Sequence, residues 1–253
     1  MSNSAVLLMV SVALCLTVAT AMADENGVKI LFDQGHNQRF LIEEKGELHL
    51  SNFAAVVRSK GAEVTVTRKI IDDTALKNVT GLVISGPFAS LRPEEVEAVV
   101  RFIERGGRLA AMLHIGQPLS GLLARLEVYH SNGVLHERNN VIDSDINFRI
   151  TALTSSPLIA GISQFSVYGA WALDPGKGVT SLAQTSAEAW VDLNGDKVLS
   201  QGDAAGAFTV VVSGNPGSGG FVVFGDDAIF QNRYLDDNNG KLAGNLAEWL
   251  TGR

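Results

Sequence analysis

Short apolar runs, each closed by a turn and separated by helical stripes, recur through the first half of this 253-residue chain. Residues 28–32 (VKILF) stop at Asp33-Gln34-Gly35-His36. Leu50, Phe53, Ala54 and Val57 then fall at i, i+3, i+4 and i+7, one face of a helix, before Gly61. Residues 63–67 (EVTVT) are β-branched, and 82–84 (LVI) end at Ser85-Gly86-Pro87. Pro93, Glu94 and Glu95 open a second helix: proline suits the first turn, and the acids complement the helix dipole. Val96, Val99, Val100 and Ile103 form its stripe, Gly106-Gly107 ends it, and 109–113 (LAAML) is the next strand. Repeated strand–helix order predicts an α/β fold, a flavodoxin-like parallel sheet with helices on both faces.

The second half has a different period. Ile146, Phe148 and Ile150 alternate with Asn147, Arg149 and Thr151, the pattern of a strand with one wet face and antiparallel neighbours. Residues 208–212 and 221–224 are further strands, and 238–250 form a closing helix with Leu242, Leu246, Trp249 and Leu250 on one face. No repeat or low-complexity linker divides 24–253, which favours one α/β domain carrying an antiparallel elaboration. Core packing is the expectation for Trp190, which alternates within a strand, and for Trp249.

Residues 5–23 are almost wholly apolar, end in Ala21-Met22-Ala23, and are followed at once by Asp24-Glu25. This reads as a signal peptide over 1–23, cleaved after an A-x-A site. The rival reading is an uncleaved anchor, because a run of this length is just long enough to span a bilayer. Cleavage places the protein in the periplasm or outside the cell and leaves no membrane-spanning segment. It also removes Cys15, the only cysteine, which excludes thiolate catalysis and disulfides from the mature chain. Lys and Arg number 20 against 27 Asp and Glu, a net charge of −7 with no basic block, so nucleic acid is not an expected partner.

The stretches FDQGH and GLVISGPFASLRPEEVEAVVRFIERGGRLAAML, with the tail FVVFGDDAIFQNRYLDDNNGKLAGNLAEWL, resemble the class I glutamine amidotransferase-like superfamily, in its non-catalytic, GldG-like branch of unknown function. The resemblance implies the scaffold and not the reaction. His114 stands at the turn where the superfamily has its nucleophilic cysteine, and Asp226-Asp227 stand where its catalytic His and Glu follow a late strand.

Ligands of open parallel sheets bind beyond the carboxyl ends of the strands. The turns expected there offer Asp33, His36, His114 and Asp226 as candidate catalytic groups, and Gly35, Ser85, Gly86 and Asp227 as candidate ligand contacts. A carboxylate beside an imidazole suits a general base or a metal site; the alternative is that these acids cap helices and tie loops. No nucleotide or flavin motif is present. Residues 192–203 (DLNGDKVLSQGD) resemble a twelve-position EF-hand or dockerin-type calcium loop, with Asp192, Asn194, Asp196, Ser200 and Asp203 as oxygen donors and Val198 supplying a carbonyl. Lys197 occupies the usual glycine position, Asp203 replaces the usual Glu, and the flanks look like strands. The alternative is an acidic hairpin tip built from Asx-turns. The function expected is therefore an exported, non-enzymatic protein that binds a small molecule or an envelope protein and is stabilised by Ca²⁺. The alternative is a periplasmic hydrolase of a small ester or sugar derivative using Asp33, His36 and Asp226.

Overall fold

The structure, a computed structural model, describes residues 27–252. The apolar run and its cleavage pattern lie outside the described residues. Among the described residues no helix is long and apolar enough to cross a membrane.

The first half follows the predicted alternation: β1 (Lys29–Asp33), α1 (Ser51–Ser59), β2 (Glu63–Thr67), β3 (Gly81–Ser85), α2 (Pro93–Glu104), β4 (Arg108–Met112), and a short α3 (Ser120–Arg125). Strands then dominate: β5 (Val128–His136), β6 (Val141–Ser144), β7 (Asn147–Ile150), β8 (Ala152–Leu153), β9 (Phe165–Tyr168), β10 (Trp171–Pro175) and β11 (Val179–Gln184). After β12 (Trp190–Val191), β13 (Ala204–Ala205), β14 (Thr209–Gly214) and β15 (Gly220–Phe224), α4 (Asp237–Thr251) closes the fold.

The α/β class and the antiparallel second half are as expected, but the expected parallel sheet is only one end of a larger one. Parallel pairing is confined to β2-β1-β3-β4-β15 at one edge of a twelve-stranded sheet. From β15 onward the pairs β15–β14, β14–β10 and β10–β5 are antiparallel, as are β5–β12 and β12–β13. Strands β6, β7 and β9 form a separate antiparallel sheet. Strand β15 joins the two regimes, parallel to β4 and antiparallel to β14. Its five residues, GFVVF, are all buried, as a strand with neighbours on both edges and cover on both faces requires.

Side chains alternate across β1: Ile30 and Phe32 enter the core shared with α1 and α4, and Leu31 the core shared with α2 and α3. Helices therefore cover both faces of the parallel end. In the first core Phe53 of α1 stacks on Phe230 at 4.8 Å and meets Phe32 edge-on at 5.8 Å. Helix α4 starts where the Asp236 carboxylate accepts the amides of Asn238 and Asn239, and ends at Gly252 in the left-handed region (φ 81°). Asn239 is fully buried, yet it bonds Ser166 N–H, Ser166 C=O and Ile229 C=O, so α4 is locked to β9 without an unpaired polar group. Trp190 is buried and stacks on His136 at 4.1 Å; Trp249 is partly buried against the α4 core.

Candidate functional site

The turns after β1, β2, β3, β4 and β15 gather at the carboxyl end of the parallel strands, where open α/β sheets bind ligands, but their side chains form two clusters. In the first, His36 Nδ1 lies 2.8 Å from Asp33 Oδ2, and His36 Nε2 lies 3.2 Å from Glu95 Oε1. All three are buried. Carboxylate oxygens only accept, so a ring facing one at each nitrogen satisfies both only when it carries both hydrogens. Burial acts to lower the His36 pKa, but its hydrogen bonds and charges with Asp33 and Glu95 raise it above the ordinary value. For Glu95 burial pushes upward, and is outweighed by the amides of Arg92 and Ile71 and by His36, which hold it below the ordinary range. Asp33 also accepts Gly35 N–H and the Gln38 amide. Gly35 fits because a Cβ there would meet the Lys69 carbonyl at 2.8 Å.

Glu95 is the member that sequence reading missed. In the first turn of α2 it looks like a solvated acid serving the dipole. Its carboxylate instead turns inward, and its other oxygen caps Arg92 N–H. Over this cluster opens a cavity of about 560 Å³ lined by Gly35 and His36 after β1, Arg68, Lys69 and Ile70 after β2, and Ala89, Ser90, Arg92 and Glu95 after β3. Arg68 is paired with Glu43 at 2.6 Å. Lys69 and Arg92 form no ion pair among the described residues.

The second cluster comes from β3, β4 and β15. His114 Nδ1 lies 3.1 Å from Asp227 Oδ1, and Trp171 Nε1–H fixes the His114 carbonyl at 3.1 Å. Its hydrogen bond with Asp227 raises the His114 pKa, while burial raises that of Asp227. Asp227 Oδ2 and Ser85 Oγ are buried with no hydrogen-bond partner among the described residues. Gly86 passes beneath at φ 52°, and a Cβ there would run into the Asp227 carboxylate. Asp226 points away, accepting Tyr168 N–H at 2.6 Å and Ala228 N–H at 2.8 Å. Burial, and then the charge of Asp227, push its pKa up to about 8. The clusters touch through Phe88: its ring packs on His114 at 5.0 Å, and its amide donates to the His36 carbonyl. Asp33 and His36 are thus brought together, as are His114 and Asp227. The expected trio of Asp33, His36 and Asp226 is not, since Glu95 takes the second nitrogen of His36 and backbone amides take Asp226.

The model of the domain of unknown function DUF4350 matches residues 50–250. The chain belongs to the DUF4350 family. No curated protein matches it. Among solved structures, this DUF4350 chain is similar to the mmIFT52 N-terminal domain, at 18% identity and a TM-score of 0.71, over 88% of this chain and 97% of that one. Cytoplasmic protein STM1381 from Salmonella typhimurium LT2 gives 14% identity and a TM-score of 0.58, over 88% and 100% of the two chains. A ThuA-like protein from Bacteroides uniformis gives 13%, 0.52, 88% and 91%. At these identities the likeness is one of fold.

Membership of DUF4350 corrects two resemblances drawn from the sequence, that to the class I glutamine amidotransferase-like superfamily with its GldG-like branch and that to the EF-hand or dockerin calcium loop. Physically, the first rested on a strand–helix order that many α/β folds share. The second rested on Asx spacing, which here bridges the paired strands β12 and β13 with no flanking helices. In that loop Asp192 accepts the amides of Gly195 and Lys197, Asp196 that of Val198, and Asp203 those of Leu193 and Ser200. Asn194 and Ser200 both bond Asp196. Asp192, Asp196 and Asp203 each bring a carboxylate oxygen within 4.8 Å of the others, a group that has the composition to hold a metal ion.

Proposed function

We propose that this DUF4350 protein binds, without transforming it, a small anionic molecule, a carboxylate or a phosphate, in the cavity over His36. The cavity carries the reading. It lies where the order β2-β1-β3-β4-β15, flavodoxin-like in this half, reverses direction between β1 and β3, the place where α/β sheets hold ligands. Its floor, Asp33 and Glu95 about a protonated His36, sums to one negative charge. Lys69 and Arg92, which also line the cavity, exceed that, and Ser90 and Gly35 line it with them. His36 spends both nitrogens on carboxylates and Asp226 is held by amides, so a hydrolase built on Asp33, His36 and Asp226 lacks a free base. Titration calorimetry with inorganic phosphate and small carboxylates tests the binding. Binding weakened by salt and by Lys69→Ala with Arg92→Ala supports it, and heat that is unchanged in that variant counts against it.

Export is part of the proposal and is supported by the apolar run and Ala21-Met22-Ala23; native protein should then begin at Asp24. Ca²⁺ in the 192–203 loop is the other part, supported by three carboxylates with Asn194 and Ser200 as hard oxygen donors and Val198 in the same turn. A cation would relieve the mutual repulsion of the acids.

A further inference from the structure

Away from the carboxyl-end cavity, the turn leading into α3 lies against β5. Ser120, the first residue of α3, places its Oγ 2.8 Å from His130 Nε2. The other ring nitrogen, Nδ1, lies 2.7 Å from the Ser131 carbonyl. A carbonyl oxygen only accepts, so Nδ1 carries a hydrogen, and whenever the ring is neutral Nε2 is its acceptor. The Ser120 hydroxyl has two acceptors in reach, that nitrogen at 2.8 Å and the Gly116 carbonyl at 3.3 Å, and the nearer is the imidazole. This is a hydroxyl, a base at hydrogen-bond distance and a third group that fixes the tautomer, the arrangement that activates a serine. The ring is fitted closely: a Cβ on Gly116 would fall 2.3 Å from it. Gln117 of the same turn reaches Asn132, two residues beyond His130, at 3.5 Å. His130 and Ser131 also line a cavity of about 620 Å³ whose wall includes Tyr129, Leu173, Pro175 and Phe208. Both Ser120 and His130 are partly exposed.

We propose that Ser120 and His130 form a nucleophile–base pair that hydrolyses small carboxylic esters. Ser120 Oγ attacks the ester carbonyl carbon, and its proton passes to His130 Nε2. The bond from carbonyl carbon to alkoxy oxygen breaks, and the alcohol leaves with that proton. Water then attacks the acyl-serine, gives a proton to Nε2, and the carboxylic acid departs as the serine regains its hydrogen. No G-x-S-x-G surrounds Ser120, so the sequence carries no sign of the pair.

The test is a fluorophosphonate probe on the wild-type full chain, with the adduct located by mass spectrometry, beside hydrolysis of p-nitrophenyl butyrate. The expected result is an adduct on Ser120 and hydrolysis above the buffer rate that is lost in Ser120→Ala. His130→Gln should slow labelling by at least about 100-fold, the lower end of what a general base contributes. Labelling of the wild type needs no variant to fold. No adduct on Ser120, labelling of His130→Gln at the wild-type rate, or hydrolysis that survives Ser120→Ala each overturns the proposal.

Discussion

Replacing His36 by alanine should cost the protein much of its stability, and the loss should depend on pH in a defined direction. Asp33 and Glu95 are 3% and 2% exposed, and the imidazolium between them, at 2.8 and 3.2 Å, is their shared counter-charge. Removing one partner of a buried ion pair costs about 3–5 kcal/mol, because the charge left behind stays desolvated. Here two carboxylates are left, each still holding backbone amides, so the same range applies. At about 2–4 °C per kcal/mol for a chain of this size, His36→Ala should melt about 6–20 °C below wild type at pH 6. The His36 pKa is raised in the folded state. Its contribution is therefore complete below the unfolded value of about 6.5 and is lost as pH climbs through the higher folded value. Neutral imidazole has one hydrogen for two acceptors. The wild-type-minus-variant gap, followed by circular dichroism melts from pH 5 to 9, should narrow on the alkaline side. A gap under about 2 °C at pH 6, or one that widens with pH, would refute the reasoning.

The buried acids beyond β15 should give a second pH signature. With its pKa raised to about 8, Asp226 holds a proton in the native state that the unfolded chain releases above about pH 4. Stability should fall between those values by up to about 1.4 kcal/mol per pH unit, and urea titrations of Asp226→Asn should show a flatter profile. Asp227→Asn should bring the His114 titration, followed by its ring proton shifts, back toward the ordinary value; an unmoved titration would rule out Asp227 as the cause. Gly86→Ala should cost about 1–3 kcal/mol from left-handed strain, plus the collision with Asp227, read as a lowered melting temperature. Millimolar Ca²⁺ should raise the melting temperature of EDTA-treated protein, by about 1.4 kcal/mol at tenfold its Kd, more than Mg²⁺ does and not in Asp192→Ala with Asp196→Ala. Equal melts with and without Ca²⁺ would end that part of the proposal.

The elements whose residues are apolar at a fixed period were legible: β1, β3, β4 and β15, and the stripes of α1, α2 and α4. Strand β5 (VYHSNGVLH) was not, because its polar residues mask any alternation and its place is set by pairing with β10 and β12. The extent of antiparallel pairing was hidden for the same reason, since β12 and β13 are two residues long and acquire register only from neighbours. At the site, the turns that carry Asp33 and His36, His114, and Asp226 with Asp227 followed from knowing which strands end there, but the partnership of His114 with Asp227 did not. Glu95 did not, because sequence cannot tell a carboxylate that faces water from one turned inward to meet an imidazole. Asp226 was grouped with His36 because both sit at strand ends, but adjacent residues on a turn point in different directions, and Tyr168 and Ala228 claimed it. Ser120 and His130 are ten residues apart, and only the packing of α3 on β5 makes them neighbours.

The anion-binding cavity is tested most directly by titrating inorganic phosphate and small carboxylates into ¹⁵N-labelled protein and mapping the backbone amides that move. The expected result is saturable shifts at residues 35–36, 68–70 and 89–92, weakened by salt and abolished in Lys69→Ala with Arg92→Ala. Amides that stay still at those three turns, or shifts that persist in the double variant, would contradict it.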